Sequence, residues 1–161
     1  MKKETVWTVQ AALATAGAWL SDRLGLLYPV LMILIGMMIL DYISGMAASA
    51  REAMEDPEKG WSSQKGRVGI FKKVGYLLAI AVAMAVDWLT FNAVTSIGIQ
   101  MPASTFFGLL TAVWFILNEL LSVLENAGRM GAPLPDFLRD VIAVLKSSVE
   151  HKGNEQSGKT S

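Results

Sequence analysis

Apolar positions gather into four blocks, residues 5–20, 26–50, 74–97 and 102–123, separated by shorter polar stretches. Backbone N–H and C=O groups in lipid must be satisfied within the element that carries them, so long apolar blocks predict helices. The three longer blocks reach the roughly 20 residues that cross about 30 Å of hydrocarbon. Block 5–20 contains Thr8, Gln10 and Thr15 and rises about 24 Å as a helix. Its length leaves a thin transmembrane helix and an interfacial helix both open. Trp19 and Tyr28 bracket the tight connector at 21–25, as interfacial aromatics do. The pattern therefore predicts an all-α, polytopic helical membrane protein with four transmembrane helices, three being the alternative.

The intervening polar pattern refines this outline. Residues 51–73 carry acids early (Glu52, Glu55, Asp56, Glu58) and bases mainly late (Lys59, Lys65, Arg67, Lys72, Lys73). Pro57, Gly60, Gly66 and Gly69 argue against a continuous helix there, so a loop is expected up to the paired lysines. Lys65, Arg67, Lys72 and Lys73 are expected to face anionic headgroups. Pro29 suits the first turn of the second block, and Pro102 opens the fourth. Gly128, Gly131, Pro133 and Pro135 end it. Residues 136–152 then read as an amphipathic C-terminal helix. Phe137, Leu138, Val141, Ile142, Leu145 and Val149 share a face, which would lie on the membrane or a partner. A flexible polar tail, 153–161, would follow, making 1–135 the transmembrane domain.

Within the blocks, a few polar and small residues stand out. Asp41 and Asp87 lie deep in apolar sequence, and Glu119 lies nearer a membrane face. An acid at the centre of a spanning helix costs roughly 2.5–3.5 kcal/mol, so such residues face a partner, a watery path or another helix. Two roles are open: channel lining or assembly, coupled to protonation, or a hydrogen bond that fixes helix rotation, and Asp41 and Asp87 have Lys72, Lys73 or each other as candidate partners. Ser44 with Ala48, and Asp41 with Gly45, are pairs spaced by four that present a close-packing face. Gly75, Ala79, Ala83 and Asp87 form a second such ridge. At the end of the fourth block, Asn118, Ser122 and Asn126 repeat every four residues, flanked by Glu119 and Glu125.

Composition agrees with a membrane setting and narrows the chemistry. The 161 residues are 53% hydrophobic, with five tryptophans and nine methionines, and the mean hydropathy is +0.43. There is no cysteine and one histidine, His151, in the tail. Disulfides, thiolate nucleophiles and multi-histidine metal sites within one chain are thereby excluded. Glu119 and Glu125 lie on different sides of a helix and make a poor carboxylate pair. No enzyme activity, cofactor or metal is expected. A formal net charge of +0 gives no support for nucleic-acid binding.

Charge placement bears on the number of spans. With four spans and both termini cytoplasmic, the inner side holds Lys2, Lys3, Arg51, Lys59, Lys65, Arg67, Lys72, Lys73, Arg129, Arg139, Lys146, Lys152 and Lys159. That is 13 of the 14 bases, leaving Arg23 outside, as the positive-inside rule favours. Three spans would move Lys2 and Lys3 to the outer side.

Several stretches are more specific than their chemistry. Asp-Tyr-Ile-Ser-Gly at 41–45, Ser-Ser-Gln-Lys-Gly-Arg-Val-Gly-Ile-Phe-Lys-Lys at 62–73, Asp87, and 118–135 with its acids, glycines and paired prolines occur in that order. Together with the amphipathic segment after them, they resemble the phage lysis and toxin-secretion holin family found mainly with Gram-positive hosts. The resemblance runs from about Pro29 to Leu145. It implies a small protein that accumulates in the cytoplasmic membrane, forms homo-oligomers and opens lesions when triggered, triggering being associated with loss of membrane potential. In phage such lesions release an endolysin, with no direct contact required; in toxin loci they are linked to toxin release. The implied partners are membrane lipids, further copies and an antiholin. An antiholin or a non-lytic accessory secretion protein is the alternative role. The family is usually described with about three spans, so block 5–20 is an addition here.

Overall fold

In the computed structural model the described residues are 3–57, 60–100, 105–138, 140–141 and 143–144, without the side chain of Lys65. They form four helices: α1 (Lys3–Leu24), α2 (Leu27–Ala53), α3 (Ser63–Ser96) and α4 (Phe106–Arg129). No strand occurs among them. Three helical stretches are long and apolar enough to cross a membrane: Leu27–Ala53, Gly66–Ser96 and Phe106–Arg129.

The element boundaries follow from local chemistry. α3 and α4 both end on a glycine in the left-handed region, Gly98 at φ +83° and Gly131 at φ +94°. In each case the glycine N–H and the next N–H turn back to the last helical carbonyls. Gly98 donates to Thr95 and Ile99 to Val94, while Gly131 donates to Gly128 and Ala132 to Ala127. This is the Schellman arrangement, which satisfies orphan carbonyls that lipid could not solvate. Polar side chains on the apolar helices are satisfied the same way. The hydroxyls of Thr8 and Thr15 in α1 donate to the carbonyls of Thr5 and Ala11. Thr95 in α3 donates to the carbonyl of Phe91.

One expectation is corrected. The stretch before Lys72 and Lys73 is not a loop: α3 begins at Ser63 and runs through Gly66 and Gly69. A helical glycine costs about 1 kcal/mol relative to alanine, but Gly66 makes room for a ring. A Cβ there would stand 2.8 Å from Trp61 Cζ2 and 3.3 Å from the Tyr42 hydroxyl. Trp61 folds over α3 and meets Tyr42 edge-on, with ring centroids 5.4 Å apart. The expected C-terminal helix is helical at 136–138, 140–141 and 143–144; its remaining residues, the 153–161 tail and Pro102 lie outside the described residues.

α2 packs chiefly on α4, and α3 packs chiefly on α4; α2 and α3 scarcely touch. α1 rests lightly on α2 and buries none of its residues. It rises about 33 Å over 22 residues, yet is not among the helices apolar enough to span. The core is small: Leu27, Leu34 and Met38 of α2, Tyr76 and Ile80 of α3, and Ala112 of α4. Tyr76 stacks on Phe115 with centroids 4.0 Å apart. In lipid, apolar burial adds little drive between helices, so close packing and polar contacts decide the arrangement.

Candidate functional site: an ion cluster joining three helices

Helical spacing puts Asp41, Ser44 and Ala48 on one face of α2, Glu119, Ser122 and Asn126 on one face of α4, and Lys73, Tyr76 and Ile80 on one stripe of α3. The fold brings these faces together. Lys73 Nζ donates to Asp41 Oδ2 at 2.9 Å and, more closely still, to Glu119 Oε2. One ammonium on α3 therefore ties an acid on α2 to an acid on α4. Relative exposure of the side chains is 15% for Lys73, 19% for Asp41 and 3% for Glu119. Charges this sheltered attract far more strongly than in water, and each requires its partners.

A hydrogen-bonded chain leads from this cluster toward the ends of α2 and α4. Asn126 Nδ2 donates to Asp41 Oδ1 at 3.2 Å and to Ser44 Oγ at 3.0 Å. The Ser44 hydroxyl donates in turn to the Asp41 carbonyl. Arg129 donates to Asn126 Oδ1 at 2.9 Å and clasps both carboxylate oxygens of Glu52, at 2.9 and 2.7 Å. Gly45 lies against Asn126, with room for a Cβ in ordinary contact 3.5 Å from its amide nitrogen. No buried side-chain nitrogen or oxygen among the described residues lacks a partner. A cleft of about 190 Å³ lies against the cluster, lined by Asp41, Tyr42, Gly45, Trp61, Gly69, Lys73, Ser122 and Asn126.

Lys73 is a second correction. Of its two expected placements, at the headgroups with Lys65, Arg67 and Lys72 or paired with a buried acid, the structure shows the second: it points inward between Asp41 and Glu119. Its position explains this: Lys73, Tyr76 and Ile80 fall on the same stripe, and Tyr76 and Ile80 are core residues. Arg67 and Lys72 are exposed, with Lys72 Nζ 5.7 Å from the centre of the Tyr76 ring.

Asp87 is placed apart from the cluster, near the opposite end of the bundle. It is 5% exposed, and its two oxygens accept the backbone N–H groups of Phe107 at 2.8 Å and Gly108 at 2.7 Å. Thr105, the residue at the N-cap of α4, makes no side-chain cap bond. Asp87 thus caps α4 from α3, at a helix end whose dipole favours negative charge.

The other candidate residues divide clearly. Ser44 and Ala48 are buried. In the 75–87 ridge, Ala79 and Ala83 are half-buried, whereas Gly75 is exposed, with open space where a Cβ would be. Asn118, Ser122 and Glu125 are half-buried. Gly128 sits under Leu134, whose Cδ1 would be 3.0 Å from an added Cβ. Pro133 and Pro135 are exposed in the non-helical link that folds Leu134 back. No group of three metal-ligating side chains occurs among the described residues.

Three apolar helices pinned by a sheltered ion cluster, with most of their surface turned outward, define a multi-pass helical membrane protein. Residues 18–147 match the bacteriophage holin family, and the chain belongs to that family, which is not an enzyme family. It is 32% identical over 142 residues to an uncharacterized protein of Halalkalibacterium halodurans, covering 86% of this chain and 96% of that one. An uncharacterized Listeria innocua protein is 31% identical over 126 residues, 77% of this chain and 78% of its own. An uncharacterized 14.9 kDa Clostridium perfringens protein, named for its place in the nagH 3′ region, is 29% identical over 117 residues, 73% and 76% of the two chains. No solved structure matches.

Proposed function

We propose that this protein is a holin: it accumulates in the cytoplasmic membrane of a bacterial host, associates with further copies and, when triggered, permeabilises that membrane. A cytoplasmic endolysin, or a toxin, then escapes without binding the holin itself. The observation that carries this reading is the family match, which spans all three apolar helices and every residue of the ion cluster. Its physical support is the small internal interface. About a sixth of each spanning window, 17%, is buried within the chain, so most of each helix remains available to lipid or to other copies. The outward-facing Gly75 would let a neighbouring backbone come close.

For topology, we favour α1 as a fourth span with both termini cytoplasmic. Its 22 residues are long enough and its threonine hydroxyls are internally bonded. This arrangement puts 13 of the 14 bases on the inner side. The apolar residues Phe137, Val141 and Val144 are exposed, which supports membrane contact by the segment after α4. No cofactor is required.

The second role is that of an antiholin or a non-lytic accessory secretion protein. Inducible co-expression with a cytoplasmic endolysin separates the two. Abrupt lysis after a delay supports the holin. Absence of lysis, with delayed lysis when a known holin is also present, assigns the antagonist role.

A further inference from the structure

Because α2 and α3 scarcely touch, an open groove of about 550 Å³ runs between them, lined by Ile35, Met38, Ile39, Tyr42, Ile70, Lys73 and Leu77. Its wall is almost wholly apolar over about 10 Å of helix rise, from Ile35 to Tyr42 and from Ile70 to Leu77. Its character changes at one end. There Tyr42 and Lys73 also line the polar cleft against the ion cluster, and Trp61 closes over that cleft.

Arg67 lies one turn before Ile70 on the same face of α3, as helical spacing requires. It is exposed and forms no ion pair among the described residues, whereas Lys73 is occupied by Asp41 and Glu119 and Arg51 by Glu55. From Ser63 to Val86, α3 carries no acid at all. An occupant must therefore be apolar along Ile35–Ile39 and Ile70–Leu77, and polar to anionic at the level of Tyr42 and Arg67. A spanning helix from a second copy would satisfy the first requirement but would also have to bring an acid to Arg67. An anionic phospholipid satisfies both.

We propose that the α2–α3 groove is a binding site for one anionic phospholipid, with an acyl chain along Ile39, Ile70 and Leu77 and its phosphate beside Arg67. Bound there, the lipid fills the gap left between α2 and α3 beside their Lys73–Asp41 bridge. This inference rests on the membrane-spanning arrangement and is independent of lytic activity.

The test uses the full chain in vesicles containing equal phosphatidylglycerol and phosphatidylcholine, with one or the other carrying a photoreactive acyl chain. Labelling should concentrate on the peptides holding Ile39 and Ile70–Leu77 and should favour phosphatidylglycerol. Arg67→Gln should lower that preference about fivefold, the effect of one surface base on an anionic lipid. Ile70→Trp should abolish groove labelling while leaving labelling of α1 and α4 unchanged. Even labelling of all outward faces, or equal use of the two lipids, would overturn the site. So would disulfide formation between copies carrying Ile39→Cys and Ile70→Cys, which in this cysteine-free chain would assign the groove to a second copy.

Discussion

The carboxylate of Asp87 on α3 accepts the N–H of Gly108 on α4 at 2.7 Å, so the start of one helix is capped by the side of another. With Phe107 as its second donor, this buried acid has a complete structural occupation. Asp87→Asn removes one acceptor oxygen and sets an amide donor against a backbone N–H. It should destabilise the fold by about 1–3 kcal/mol, read as chemical unfolding in detergent by circular dichroism. Unchanged unfolding together with altered trigger timing would instead assign Asp87 a sensing role.

Lys73 is the shared partner of Asp41 and Glu119, so removing it strands two acids. Lys73→Met should cost about 3–5 kcal/mol and lower accumulation in the membrane. Adding Asp41→Asn and Glu119→Gln to Lys73→Met should recover much of that loss. If both variants unfold like the unaltered protein, the cluster does not hold the helices together.

Two glycines make opposite predictions. A Cβ at Gly108 would lie 3.1 Å from Met84 Cγ, 3.2 Å from Asp87 Oδ2 and 3.4 Å from Leu27 Cδ2, whereas one at Gly75 would meet nothing. Gly108→Ala should therefore destabilise by about 1–3 kcal/mol. Gly75→Ala should stabilise the single chain by up to about 1 kcal/mol, the helix-propensity gain, and a fall in its crosslinked oligomers would locate a copy-to-copy contact there.

Arg129 and Glu52 form a two-pronged pair near the C-terminal ends of α4 and α2, about one-third exposed (34% and 27%). Exposed pairs contribute at most about 1 kcal/mol, so Arg129→Gln should have a small effect that shrinks further between about 0.05 M and 1 M salt. The charge-reversed pair Arg129→Glu with Glu52→Arg should recover most of the loss. A salt-independent effect would point to the Arg129 bond with Asn126 instead.

The apolar blocks made the three spanning helices legible, because length and hydropathy are local properties. The small face of Ser44 with Ala48 could be read the same way, and both residues are buried. What each acid binds could not, since Asp41 and Glu119 are 78 positions apart and meet only through Lys73. The inward turn of Lys73 had one visible signal, its register with Tyr76 and Ile80, but the run of neighbouring bases pointed to headgroups. The early start of α3 was hidden for a related reason. Gly66 and Gly69 look like helix breakers until Trp61 is seen lying against Gly66. Capping of α4 by Asp87 joins residues 20 positions apart, a relationship that no local pattern carries.

Permeabilisation by this chain alone is tested most directly by single-cell dye entry after induction, with membrane level measured in parallel. The account predicts exclusion of propidium during accumulation, then abrupt entry in each cell, advanced by an added uncoupler. Continued dye exclusion, before and after uncoupling, with the full chain abundant in the membrane would contradict it.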